Sequence, residues 1–409
     1  MKKISFLKVS MATLILFTFN ACKKNMNDGA ATGQPAKETM EAMISENGTN
    51  PDETMLTSVE ASSSINSKEG NNGDDHYLYT ESNNAGTNSI LIYKITKNGM
   101  PESIGTVLSG GSGTGKGLGS QGALAIDQTK GWLYAVNAGG NSVSSFKMGE
   151  HGKLTLAHSA NTNGKMPVSV SVHDNLLYVL DRGSDNIEGF KIGSEGALTP
   201  IDGSVETLSA TGVDAPQISF TPNGNWIVVT EKATNVIGTF KVKNDGSISP
   251  GTFTASVGQT PFGFDFARNF MIVSDAAGGA AAAGASTSYT VYNGMPSAVN
   301  GAVASSQAAP CWVATTKHGR FAYVSNTASN NISSYYVSAW GALYLVHGEA
   351  AKTDGAPADI VVAPNNYDVF ELNGKDHTIG WYQRKPLGKL ALKATITGLP
   401  VSTTGLVTN

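Results

Sequence analysis

Short apolar or alternating runs recur along the chain, separated by clusters of Gly, Asn, Asp and Ser. Seven of them end in a small polar or acidic residue: Leu78–Ser82, Leu133–Asn137, Leu177–Asp181, Ile227–Glu231, Met271–Asp275, Ala322–Asn326 and Val369–Asn373. Successive terminal positions differ by 55, 44, 50, 44, 51 and 47 residues. Runs this short, bounded by turn residues, are strands. A strand-built unit repeating at this interval predicts the blades of a seven-bladed, all-β propeller.

One repeat shows the grammar. Pro167–Val172 alternates apolar and small polar residues, His173-Asp174-Asn175 turns, and Leu176–Leu180 returns. Asp181–Asn186 turns again, Ile187–Ile192 makes a third strand, and the chain from Ala197 begins the outer one. Third strands are expected in the other blades at Ile90–Ile95, Val143–Met148, Val236–Val242, Ser288–Tyr292, Ile332–Val337 and Ile379–Tyr382. Blade 1 has no apolar run before His76, whereas a spare run, Pro400–Val407, follows the outer strand of blade 7 at Lys389–Ile396. The C-terminal segment is therefore expected to join blade 1 and close the ring, which leaves no open sheet edge.

Residues 1–22 read as a leader rather than as part of the fold. Lys2, Lys3 and Lys8 precede an apolar run from Val9 to Phe19, too short for a lasting membrane span. The run ends in Phe19-Asn20-Ala21-Cys22, which resembles a bacterial lipobox with Phe19 in place of the usual leucine, so Cys22 is the expected lipidation site. Residues 23–74 are polar and small and form an expected disordered tether, leaving 75–409 as the propeller. These features place the protein in the bacterial cell envelope, on the outer membrane, attached through its lipid anchor only. Cys311 is the other cysteine, and no Cys/His cluster has zinc-ligand spacing. The net charge of −4 and the lack of a basic block argue against nucleic acid. No cofactor and no metal is expected, and the propeller is expected to be a monomer. Gly110–Gly117 superficially resembles a phosphate loop, but Gly117 stands where Ser or Thr is required and no helix follows.

Three stretches carry a family resemblance: Trp132–Val143, Ala309–Thr327, and Thr260–Phe264 with Val273–Ala280. They resemble the lactonase-type seven-bladed propellers related to 6-phosphogluconolactonase and carboxymuconate cyclase, over about residues 76–409. The resemblance implies histidine and arginine at the starts of inner strands and a glutamate ending a neighbouring strand. Cations there would hold an anionic lactone, and an acid or base would move a proton. Most of that pattern is missing. Val168-Ser169-Val170 follows Pro167, Ala215 and Gln217 flank Pro216, and Ser120-Gln121-Gly122 occupies the place in blade 2. Glu231 stands at the acidic position, with Arg182 as the nearby cation.

In a four-stranded blade the start of strand one and the end of strand two lie on one face. Gln121, Asp181, Gln217, Asp275, Trp312, Asn326 and Asp359 are accordingly expected to ring a ligand-binding mouth. Turn formation is the alternative for the Asn and Asp residues among them. Two functions stay open. One is a non-catalytic binding or scaffold propeller that engages a small polar ligand or an envelope protein. The other is a divergent lactonase, hydrolysing a sugar lactone with Glu231 and Arg182.

Overall fold

The computed structural model describes residues 75–96 and 99–409; Cys22, the leader and the tether lie outside them. The described chain is built from seven antiparallel sheets, and in all but blade 1 the strands follow chain order from the centre of the ring outwards. Blade 2 shows the pattern: Leu124–Asp127 is innermost, followed by Trp132–Asn137, Ser142–Met148 and Leu154–Asn161. In blade 3 the outer position is shared by two short strands, Leu198–Pro200 and Glu206–Thr207. The expected third strands are all present, most of them one residue or more longer at the N-terminal end.

Blade 1 takes its inner strand from the C-terminal segment. Thr404–Thr408 pairs with His76–Glu81, with Leu78 opposite Thr408 and Tyr79 opposite Val407. The strand starts later than the sequence pattern suggests. Pro400–Thr403 forms a turn instead, its Pro400 carbonyl accepting from Thr403 N at 3.1 Å and Thr403 Oγ1 at 2.7 Å. The segment is held from both sides. Leu406 N donates to Asp359 of blade 7 at 3.0 Å, and Gln128 of blade 2 donates to Thr408 O at 3.0 Å.

A second device repeats around the ring. The turn between third and outer strand presents a glycine to the large side chain that opens the second strand of the preceding blade. Gly152 meets Tyr77, Gly196 meets Trp132, Gly294 meets Trp226, Gly341 meets Phe270 and Gly388 meets Phe321. Several of these glycine carbonyls also accept from a hydroxyl of the preceding blade: Gly196 O from Ser145 at 2.6 Å, Gly246 O from Tyr178 and Gly294 O from Thr239, both at 2.5 Å. A methyl on Gly294 would sit 2.2 Å from the indole of Trp226, and its φ of +76° is unfavourable for any L side chain. Gly301 has φ +57° but open space around it. Gly294→Ala is therefore expected to cost about 3 kcal/mol and Gly301→Ala about 1 kcal/mol, the difference being overpacking against the neighbouring blade. Urea unfolding of the two variants measures this; equal losses would show that the contact between blades contributes nothing.

Candidate functional site

The inner strands of blades 3, 5, 6 and 7 each open on a proline followed by a bulge, after Pro167, Pro261, Pro310 and Pro357. The extra residue re-aims the side chains that follow. Polar groups near the starts of these and the other inner strands stitch one inner strand to the next. Gln217 of blade 4 grips residue 264 of blade 5 at both backbone groups, donating to Phe264 O at 2.8 Å and accepting from Phe264 N at 2.7 Å. Asp265 accepts from Thr315 N at 2.8 Å and Thr315 Oγ1 at 2.9 Å. Ser169 Oγ donates to Gln121 O at 2.6 Å and accepts from Ile218 N at 3.1 Å.

Gln121 makes the same bidentate grip on Val313, at 2.6 and 3.0 Å, but reaches from blade 2 to blade 6 across the central channel. Trp312 answers in the reverse direction, its indole N–H donating to Ser120 O at 2.9 Å. Gln121 N also donates to Pro216 O of blade 4 at 3.1 Å, and Ser120 Oγ to Val168 O of blade 3 at 2.8 Å. The segment Leu118–Gly122 is thus a plug over the upper end of the channel. Trp312 is 2% exposed and packs on Phe262 at 5.0 Å between ring centroids.

Arg182 holds the plug from its rim, donating to Leu118 O at 2.6 Å and Gly119 O at 3.2 Å. It also faces Asp214 at 3.8 Å, and Lys232 pairs with the same carboxylate at 2.9 Å while lying over the Phe262 ring. Glu231 does not join them. It is fully buried, accepting from Ser209 N at 3.0 Å, from the Ser209 hydroxyl, and from Thr234 Oγ1 at 2.6 Å.

Below the plug lies a well of about 210 Å³, reaching the lower ends of the inner strands at Thr315 and Val362. Gln121, Gln217, Asp265 and Asp359 give it polar walls, and Leu124, Phe264 and Leu406 apolar ones. Burial pushes the Asp359 carboxyl up to about 8, against the amides of Ile360 and Leu406 that favour its charged form. Burial also raises Asp265. Among the described residues no group of three or more His, Cys, Asp or Glu could hold a metal ion.

Asp181, Asp275 and Asn326, expected at the mouth, instead turn into their blades. Asn326 Nδ2 donates to Asn331 Oδ1 and Ser333 Oγ, both at 2.8 Å. Asp275 accepts from Thr287 at 2.5 Å, the position of the third strand that matches Ser333 in register. Asp181 accepts from Thr162 at 2.8 Å. The physical reason is burial: each side chain takes a nearby partner for one of its polar atoms, from the third strand for Asp275 and Asn326 and from the preceding loop for Asp181. Gln121, Gln217, Trp312 and Asp359 do meet around the channel.

The family model described as lactonase, 7-bladed beta-propeller matches residues 77–214. The fold is a seven-bladed β-propeller, of which residues 77–214 match that family model. No curated protein sequence matches the chain. Among solved structures, a candidate 6-phosphogluconolactonase of Bacteroides fragilis superposes with a TM-score of 0.67 at 16% identity, covering 84% of this chain and all of its own. The periplasmic gluconolactonase PpgL of Pseudomonas aeruginosa gives 0.66 at 16% identity, over 82% of this chain and 99% of that one. At these identities the likeness is one of fold.

The inner-strand positions that the resemblance assigns to basic groups are held here by Gln121, Ser169 and Gln217, and all three bind the backbone of other blades. Sequence reasoning missed Lys232, Asp214 and Asp265. Lys232 adjoins Glu231 and was legible as a second cation. Asp265 interrupts the otherwise apolar Phe262–Phe266 and was legible as a buried acid. Nothing local marks Asp214, whose partners come from two other loops.

Proposed function

We propose that this propeller is a non-catalytic binding protein that takes a small polar molecule into the well of its channel, and that Cys22 tethers it to the bacterial envelope. One observation carries the reading: the upper mouth is closed by Gln121 and Trp312, and Glu231 behind it has both carboxylate oxygens occupied by Ser209 and Thr234. A general acid or base has to reach the proton it moves, within about 3 Å or through one water. Glu231 is buried away from any open space, and Arg182 is occupied by two carbonyls and Asp214. The well is open space lined by two amides, two carboxyls and apolar side chains, a mixed lining suited to a small polar ligand.

The expected result with 6-phosphogluconolactone and a panel of simple lactones is no turnover above the spontaneous rate, in the wild type and in Glu231→Gln alike. Turnover that falls in Glu231→Gln would overturn the proposal. Calorimetric titration with sugar acids should show saturable binding that Ser219→Phe, which fills the well, abolishes. A second reading has its own support: Arg182 and Lys232 converge on the half-exposed Asp214 at the rim, two cations against one carboxylate, where an anionic lactone could dock. The same assay, run with Lys232→Met, separates the two.

A further inference from the structure

The lower turns of blades 5, 6 and 7 form a surface unlike that of blades 2, 3 and 4. They carry Arg268, Lys317, Arg320, Arg384, Lys385 and Lys389. Their acid is Asp368, which is 7% exposed and holds the Trp381 indole N–H at 2.7 Å. The corresponding turns of blades 2, 3 and 4 mix Lys130, Lys153 and Lys243 with Asp127, Glu150, Asp174, Glu195 and Asp245. A strongly cationic face on a chain of net charge −4 is a local arrangement.

The same turns are tipped with large apolar side chains. Trp340 is 84% exposed, Tyr292 77%, Leu387 56% and Met295 52%. In blades 2 and 3 the residues at the tip before the turn glycine are His151 and Glu195. Leu387 holds the same left-handed backbone as those two, at φ +56°, which is costly for a leucine. The three blades present these tips as one surface. Arg268 of blade 5 donates to Val337 O at 3.2 Å and to Ser338 O beside the Trp340 turn. Lys317 N of blade 6 donates to Asn366 of blade 7 at 3.0 Å, and Arg384 lies 5.6 Å from the Tyr367 ring.

We propose that this face docks onto an anionic lipid bilayer, with Trp340, Tyr292 and Leu387 entering the headgroup layer and the surrounding Lys and Arg contacting lipid phosphates. Trp and Tyr favour the membrane–water interface, and cations behind an apolar tip add attraction to an anionic surface. An acidic protein or a nucleic acid would use the charge but would leave protruding apolar tips on separate hairpins unexplained. The upper face would then point away from the lipid.

Trp340 supplies the readout, since Trp132, Trp312 and Trp381 are buried and Trp226 is packed under Gly294. The full chain carrying Cys22→Ser is mixed with vesicles of phosphatidylcholine, with or without phosphatidylglycerol. The expected result is a blue shift of tryptophan emission with the anionic vesicles only, reversed by high salt and absent in Trp340→Ser. Lys317→Gln with Lys385→Gln should weaken vesicle binding about thirtyfold, each surface cation contributing about fivefold. An unshifted spectrum, an equal shift with phosphatidylcholine alone, or undiminished binding of the double variant would overturn the proposal. Trp340, Lys317 and Lys385 are exposed, and an unchanged thermal melt checks that each variant is folded.

Discussion

A chain lacking residues 398–409 will not form a cooperatively folded ring. The segment supplies the whole inner strand of blade 1 and buries Leu399, Leu406 and Val407. Burial of three such side chains is worth about 6 kcal/mol in total, against a net stability of about 10 kcal/mol for an ordinary domain. The loss goes further, because the edge of His76–Glu81 is left with unpaired backbone groups and Asp359 loses its donor at Leu406. Circular dichroism during heating is the measurement: the expected trace has no sharp transition. A melt within a few degrees of the intact chain would show that the other six blades hold the ring without a closed seam.

Stability will fall as pH rises from 5 to 8. Burial pushes the carboxyls of Asp181 and Asp275 up to about 7 and that of Asp359 to about 8. Between the unfolded value near 4 and these folded values, the folded chain keeps protons that the unfolded chain has released. Each such group then removes about 1.4 kcal/mol of stability per pH unit, an effect absent below pH 4 and complete above the folded value. Asp275→Asn tests the sign. Asn occupies the matching position in blade 6, donating to Ser333 where Asp275 accepts from Thr287. The substitution should raise stability by about 3 kcal/mol more at pH 8 than at pH 5. Chemical denaturation at both pH values decides; a loss at pH 8 would mean that the ionised carboxylate is itself stabilising.

The fold was legible because its signals are local: apolar runs, turn residues and their interval, and a spare strand at one end for a missing one at the other. The start of the closing strand was misplaced because Pro400-Val401-Ser402 reads like Pro167-Val168-Ser169, while the turn closed by Thr403 is a matter of geometry. The channel was half legible. Strand register brings Gln121, Gln217 and Asp359 to the centre, but the partner of Gln121 lies 192 residues away, and no spacing rule announces a grip across a ring. Asp181, Asp275 and Asn326 have the composition of a binding site, yet the nearest hydroxyls and amides lie within their own blades or the adjoining loop.

The pair formed by Gln121 and Val313 has a mechanical meaning. A ring of blades without a hub can flatten into an oval, since each pair of neighbours needs to tilt only a little. A tie between blades on opposite sides acts as a spoke and fixes one diameter. Flattening along that line must break two hydrogen bonds and pull the Trp312 indole from Ser120 O. The width of the well is therefore set on one axis by the molecule itself.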